Sequence, residues 1–238
     1  MLQTWSELLF LHWEVPAEAI QSLLPPGLTV DTFEGKAYVG LIPFTMSGVR
    51  PAWSPAVPGL SNFHECNVRT YVHFEGEKPG VWFFSLDAAN LIAVIIARTL
   101  WKLPYFHAKM RLVKESMNSP AEEPNPTNQS WREYESQRLG VPDRAAFCTM
   151  RYQPKGEIQT AKLETLEFFL AERYLLYAFS NRLLRGQVHH SPYPLQSAEI
   201  RNLDENLVLQ AGLKRPDIKP IIHYATKVDV EIFPLRRL

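Results

Sequence analysis

Apolar and polar positions alternate with a period of two along several stretches of the chain, which predicts strands showing different chemistry on their two faces. The clearest stretch runs from Phe63 to Phe74. His64, Cys66, Val68, Thr70, Val72 and Phe74 share one face, while Glu65, Asn67, Arg69, Tyr71 and His73 share the other. From Tyr105 to Val113 the pattern repeats, with Phe106, Ala108, Met110 and Leu112 opposed to Tyr105, His107, Lys109 and Arg111. Ile221 to Phe233 alternates in the same way. Strand character without so clean a period marks Glu7 to Trp13, Leu28 to Thr32, Lys36 to Phe44, Val81 to Leu86, Trp131 to Leu139, Ala145 to Gln153 and Arg173 to Phe179.

One stretch breaks the period. Ala88 to Trp101 is nearly all apolar and predicts a helix, opened by Asp87 as its cap and stopped at Leu103-Pro104. With Leu91, Ile92, Val94, Ile95, Ile96 and Leu100 around its circumference, this helix is expected to be buried on most sides. Arg98 would then need a carboxylate partner or a polar cavity. Asp87, Asn90, Arg98 and Lys102 interrupt the run, which argues against a membrane span. Shorter helices are expected within Pro16 to Leu28 and from Lys162 to Ala171. Arg50 to Ser61 and Glu115 to Ser130 read as loops, and His189 to Pro194 as a proline-broken corner.

Many evenly spaced strands with few helices predict a mostly β (α+β) fold, an antiparallel β-barrel or curled sheet with helices packed on or in it, formed by residues 1–238 as a single domain. A hydrophobic fraction of 46% with 21% charged residues suits a soluble globular chain. Lys+Arg 25 balance Asp+Glu 25, so no basic field draws nucleic acid or an anionic membrane, and neither is expected as a partner. The two cysteines, Cys66 and Cys148, form no C-x-x-C pair, which argues against a disulfide scaffold or a thiolate zinc site and fits a reduced, cytoplasmic setting. The segment MLQTWSELLFLHWEV lacks the features of a secretory leader and reads as the first structural element.

The polar strand faces admit two readings. Either they are wetted by solvent, as in any one-sided antiparallel sheet, or they turn inward and line a pocket containing Glu65, Arg69, Tyr105 and His107. Inside such a pocket, desolvation would push the Glu65 pKa up and Arg69 or Arg98 would pull it down, so Glu65 could act as proton donor, base or ion-pair anchor. Nucleophile elbows, phosphate-binding glycine loops and metal-ligand motifs are absent from the sequence, and neither cofactor nor metal is expected. A metal site would have to be assembled from His107, His189 or His223 with Glu65. Cys66 falls on the apolar face of its strand and is expected to be a buried, inert thiol. Arg173 is expected to cap carbonyls.

The runs NFHECNVRTYV (Asn62 to Val72), RTLWKLP (Arg98 to Pro104), LAERYLLY (Leu170 to Tyr177) and HYATKVDVEIFPL near the end resemble the YqjF-like family of uncharacterised bacterial proteins (domain of unknown function 2071). The resemblance covers nearly the whole chain. That family in turn looks like a distant branch of the acetoacetate decarboxylase-like superfamily, which implies a cone-shaped antiparallel β-barrel around a closed pocket, with a buried helix and short peripheral helices. In acetoacetate decarboxylases an Arg-Glu helix end leads to a Tyr-Pro-Lys-Lys turn whose first lysine forms a Schiff base with the substrate. Here Arg98 matches the arginine and Pro104 the proline, but the two lysine positions hold Tyr105 and Phe106. Glu65 matches the glutamate that faces that lysine. The superfamily's pocket arginine and second acidic residue have no match in Thr4 to Leu8 or Leu41 to Phe44.

Without an amine there is no imine to take up the electrons of a decarboxylation. Lys109 shares the Tyr105 face but lies about 13 Å further along the strand. The resemblance therefore implies a decarboxylase-like pocket lacking the Schiff-base lysine and taking a small carboxylate or carbonyl compound. Glu65, Tyr105 and His107 are its candidate catalytic residues, and Arg69, Arg98, Asn67 and Lys109 its candidate ligand-binding residues. Two alternatives stand beside this. One is a lyase, hydratase or isomerase in which Tyr105 donates to a developing enolate and Glu65 or His107 moves the proton. The other is a non-catalytic interaction or assembly protein, with a second copy of the chain as a candidate partner.

Overall fold

A chain whose strands are apolar on both faces needs cover on both sides, and the computed structural model, which describes residues 1–115 and 130–238, supplies it by closing one sheet on itself twice. The strands are β1 Leu2–Val15, β2 Leu28–Val30, β3 Ala37–Arg50, β4 Phe63–Phe74, β5 Glu77–Ala88, β6 Tyr105–Lys114 and β7 Arg132–Arg138. They continue with β8 Phe147–Gln159, β9 Leu175–Phe179, β10 Leu183–His190, β11 Leu195–Glu205, β12 Ile221–Ile232 and β13 Arg236–Arg237. Among the described residues four short α-helices accompany them: α1 Ala17–Gln21, α2 Leu91–Ile96, α3 Leu166–Ala171 and α4 Leu207–Gln210.

The sheet order β5-β6-β7-β8-β11-β12-β1-β3-β4 returns to its start because β4 also pairs with β5. A second path leaves β5 through β9 and β10 and rejoins at β12. Strands β12, β1, β3, β4 and β5 are common to both paths and form a wall with a core on each side. Leu8 and Phe10 pack in one core with Tyr71, Leu176 and Val188. Leu9 and Leu11 pack in the other with Cys66, Val68, Cys148 and Tyr224. Period two therefore persists in β4, but both of its phases are buried over Glu65 to Val72. The reading of β4's polar face as solvent-wetted is overturned: Glu65, Asn67 and Arg69 are all buried.

Three further expectations change. The apolar helix is short and one-sided. Asp87 ends in β5, and Asn90 is the cap, its side chain accepting from the Ala93 N–H at 3.0 Å. After α2 the chain widens into a π-helical turn, Ala97–Trp101, and Lys102 (φ 53°) turns it out. Val94 alone of the α2 residues is buried, with Ala93, Ala97 and Trp101 packed against the core, while Leu91, Ile92, Ile95, Ile96 and Leu100 are 44–62% exposed. Sheet covers the helix on one flank only, so composition alone misjudged its burial. Arg98 is exposed with it and needs no buried counter-ion.

His189 and His190 belong to β10, with the corner following at Ser191 to Pro194. Strands β10 and β11 lie where no alternation marks them. Of the expected loop from Glu115 to Ser130, residues 116–129 lie outside the described residues. Among the described residues no helix is long and apolar enough to cross a membrane.

Candidate functional site

The inner face of β4 presents Glu65, Asn67, Arg69 and Tyr71 in a row, each two residues from the next and therefore on one side of the sheet. Across β5, Glu65 pairs with Ala88 and Asn67 with Leu86; on the far side of β5, Leu86 pairs with Tyr105 of β6 and Ala88 with His107. The small Ala88 leaves room above it, and the Tyr105 hydroxyl donates to Glu65 Oε2 at 2.8 Å. Glu65 is 2% exposed. Burial pushes its carboxyl up to about 8, against the smaller opposing pull of the Tyr105 and Asn67 hydrogen bonds, and Asp87 adds to the rise. At neutral pH Glu65 is thus a protonated acid. Neither Arg69 nor Arg98 holds it ionised, contrary to the competition the sequence suggested. Burial and the Glu65 carboxyl in turn push the Tyr105 phenol well above its ordinary value.

Further along the same face lies a second group. Arg69 is 8% exposed, donates from Nη2 to Leu170 O (3.1 Å) and Tyr71 Oη (3.3 Å), and sits 5.6 Å from the ring centres of Phe10 and Tyr71. Among the described residues it forms no ion pair, and its Nε, like Asn67 Oδ1, is buried without a hydrogen-bond partner. Tyr71 donates its one hydroxyl hydrogen to Leu170 O at 2.5 Å, so the 2.6 Å contact with His12 Nε2 assigns the proton to that nitrogen. Nδ1 is left as a bare acceptor, buried and unpartnered. Burial, helped by the Arg69 charge, holds His12 well below the usual imidazole range. Gly40 permits this arrangement: a Cβ there would come within 2.8 Å of Ile42 Cδ1 and 2.9 Å of His12 Nε2.

At the edge of the group, Glu172 is buried and accepts from the Tyr193 N–H (2.8 Å) and the Tyr174 hydroxyl (2.6 Å). The His190 ring lies between Tyr174 and Tyr193, 4.8 and 4.4 Å between centres. Arg173 caps the Phe169 carbonyl at 2.8 Å, as expected, and pairs with Asp31 at 2.7 Å.

The structure therefore gathers Glu65, Asn67 and Tyr105, with Arg69 on the same face about 13 Å further along β4. His107 is half-buried, two strands across from Glu65 and so about 10 Å away by strand spacing. Lys109 and Arg98 are exposed and stand apart from the row. Every lysine of the chain is exposed. His12 and Glu172 join the interior without having been singled out, and His190, expected only as part of a corner, joins them. His12 was hidden within an apolar run, and Glu172 follows a helix where no period applies. Cys66 and Cys148 are buried free thiols, as expected of Cys66. Among the described residues no three His, Cys, Asp or Glu side chains gather as a metal-holding group.

The opposite face of the wall carries buried ion pairs. Arg138 holds Asp87 Oδ1 through Nη2 (2.7 Å) and Nε (3.1 Å) while stacked 3.7 Å over Phe106. Glu7, at φ 54° in a β1 bulge, accepts from Arg132 (2.5 Å), Lys114 (2.6 Å) and Tyr224 (2.9 Å). The Glu7 carboxylate is fully engaged in this way, whereas Asp87 Oδ2 is buried without a hydrogen-bond partner.

The profile of an uncharacterized conserved protein family, DUF2071, matches residues 2–229. Over 239 residues the chain is 38% identical to uncharacterized protein YqjF of Bacillus subtilis (strain 168), covering 100% of this chain and 92% of that protein. Similar solved structures include the enduracididine biosynthesis enzyme MppR with HEPES buffer bound (TM-score 0.69, 14% identity, 100% of this chain and 87% of that one). An acetoacetate decarboxylase-like enzyme from Sphingomonas wittichii RW1 is similar at TM-score 0.65 (14%, 100% and 92%). Acetoacetate decarboxylase from Legionella pneumophila follows at 0.63 (14%, 99% and 87%). At these identities the likeness is one of fold.

Proposed function

Because the chain belongs to the DUF2071 family and has the acetoacetate decarboxylase-like fold, we propose that it binds a small carboxylate or carbonyl compound in the core lined by the inner face of β4. The observation that carries this reading is the Arg69 guanidinium, buried without an ionic partner among the described residues and with its Nε and the neighbouring Asn67 Oδ1 unpartnered. A buried cation left in that state is costly, and an anionic ligand group is the natural complement. A ligand carboxylate at Arg69 would gain a charge-assisted hydrogen bond in a low-dielectric setting. The protonated Glu65, tied to Tyr105, supplies a polar group for a carbonyl at the other end of the row. MppR, on the same fold, has been solved complexed with pyruvate, which carries both groups. The exposure of every lysine speaks against an imine formed in this interior.

The Glu65–Tyr105 hydrogen bond supports a second reading, an enzyme without a Schiff base. A carboxyl with its pKa near 8 can exchange a proton close to neutrality, and Tyr105 can stabilise an enolate oxygen.

Calorimetric titration with pyruvate and acetoacetate, beside native mass spectrometry of protein purified from cells, tests both. Saturable binding that Arg69→Met weakens at least tenfold is the expected result. A wild-type protein that binds neither acid and carries no small molecule would overturn the first reading. Turnover unaffected by Glu65→Gln combined with Tyr105→Phe would overturn the second.

A further inference from the structure

A concavity lies away from the Glu65 row and shares none of its residues. It is an open groove of about 720 Å³ between the end of α1, strands β5 and β9, and the π-helical turn that follows α2. That volume falls within the range of small-molecule sites, roughly 300–1,000 Å³. Its floor and sides are apolar and aromatic: Leu23, Trp82, Phe84 and Phe179 contribute, and Leu23 and Phe179 remain 39% and 41% exposed. The charged residues among those that line it are Arg98 and Lys102, both cationic, both exposed, and neither in an ion pair among the described residues. Arg98 lies in the π-helical turn and Lys102 caps it four positions on, and both line the groove. Among the described residues no acidic side chain lines it.

Two unneutralised cations above an aromatic and aliphatic floor complement a molecule with one anionic end and a hydrocarbon body. A compact dianion would leave the floor wet, and a neutral lipid would leave the cations unanswered. We propose that this groove binds a free, single-chain amphipathic carboxylate of medium length, with its head between Arg98 and Lys102 and its chain along Trp82, Phe84 and Phe179. Arg98 thus has a ligand-facing role, at the outer surface and not in the interior to which the sequence pattern assigned it. Left-handed Lys102 and the wide π turn set the spacing of the two cations. Such turns recur at functional sites.

Calorimetric titration with decanoate below its micellar concentration tests the proposal, with decanol and acetate as partial ligands. Decanoate is expected to bind, and lengthening the chain from octanoate should tighten binding by up to about fourfold per methylene buried. Decanol and acetate should each bind at least tenfold more weakly than decanoate. The double variant Arg98→Gln, Lys102→Gln should lose tenfold or more in decanoate affinity, and Phe179→Asp, at an exposed position of β9, should lose at least as much. Circular dichroism of each variant establishes that it is folded. Saturating pyruvate should leave decanoate binding unchanged, which separates this groove from the interior. Decanoate binding that is indifferent to the double variant, or matched by decanol, would overturn the proposal. So would co-sedimentation with phosphatidylglycerol vesicles in the absence of decanoate binding, since a membrane surface would then be what the cations and aromatics meet.

Discussion

Tyr105 and Glu65 are hydrogen-bonded at 2.8 Å although 40 residues separate them in the chain, and both are buried. Glu65 lies on β4 and Tyr105 on β6, so the bond spans the intervening β5. The resulting polar pair sits in an apolar core, and its protonation is coupled to the stability of the fold.

Glu65 binds its proton more tightly in the folded protein than in the unfolded chain, with a folded value of about 8 against 4.5. Between those values the folded state holds more protons, so its stability falls as pH rises from about 4.5 to about 8 and levels off beyond. Each pH unit in that window is worth about 1.4 kcal/mol at most from this group. Glu65→Gln removes the dependence. Relative to wild type, the variant should gain stability by a few kcal/mol between pH 5 and pH 8, measured as the difference in urea-unfolding free energy. Parallel curves for the two proteins would show that Glu65 is ionised throughout.

Asp87 is fully buried and raised above the ordinary carboxylate range by burial, with Arg138 opposing the rise. Arg138→Met leaves that carboxyl alone and should cost about 3–5 kcal/mol at pH 7. Adding Asp87→Asn to Arg138→Met should recover part of the loss, because the uncompensated charge goes with it. A double variant as unstable as the sum of the two single variants would show that the pair is not coupled.

A methyl group at Gly40 would meet the ring of His12 and the end of Ile42. Gly40→Ala should destabilise the fold by about 1–3 kcal/mol through overpacking, and it should weaken carboxylate binding by displacing His12 and its partner Tyr71 beside Arg69. Thermal unfolding and calorimetric titration read the two effects separately. Unchanged values in both would mean that the close approach at Gly40 is relieved without cost.

The one-sided packing of α2 has a direct test. Ile95→Ser, at a position 55% exposed, should change stability by no more than about 0.5 kcal/mol. Val94→Ala, at 3% exposure, should cost about 1–3 kcal/mol. Equal and large losses at both positions would restore the helix covered on most sides that the composition suggests.

Much of the β structure was legible because alternation survives wherever a strand has two chemically distinct faces. Phe63 to Phe74 and Ile221 to Ile232 illustrate this, and both match the expected spans to within a residue. The alternation also placed Glu65, Asn67, Arg69 and Tyr105 on faces that the structure brings to one side. Where the pattern failed, the physics differs. Strand β11 pairs with β8 through two register shifts, which break the period, and β10 carries Arg185, Gly186 and Gln187 at its centre. The α2 segment failed for the opposite reason: its side chains are uniformly apolar, and uniformity carries no direction. His12 was masked in the same way, since a single imidazole among Leu9, Phe10, Leu11 and Trp13 looks like one polar lapse in a core strand.

The shared wall also locks the alignment of its own strands. If β4 slipped by one residue against β3, Glu65, Asn67 and Arg69 would exchange sides with Cys66, Val68 and Thr70, moving an acid and a cation into a hydrocarbon layer and stranding thiol and valine beside Tyr105. A sheet with one wet face could let such a misplaced charge reach water. From Glu65 to Val72 neither face of β4 offers that escape, so loops and outer strands can drift in sequence while the spacing of the interior groups stays pinned.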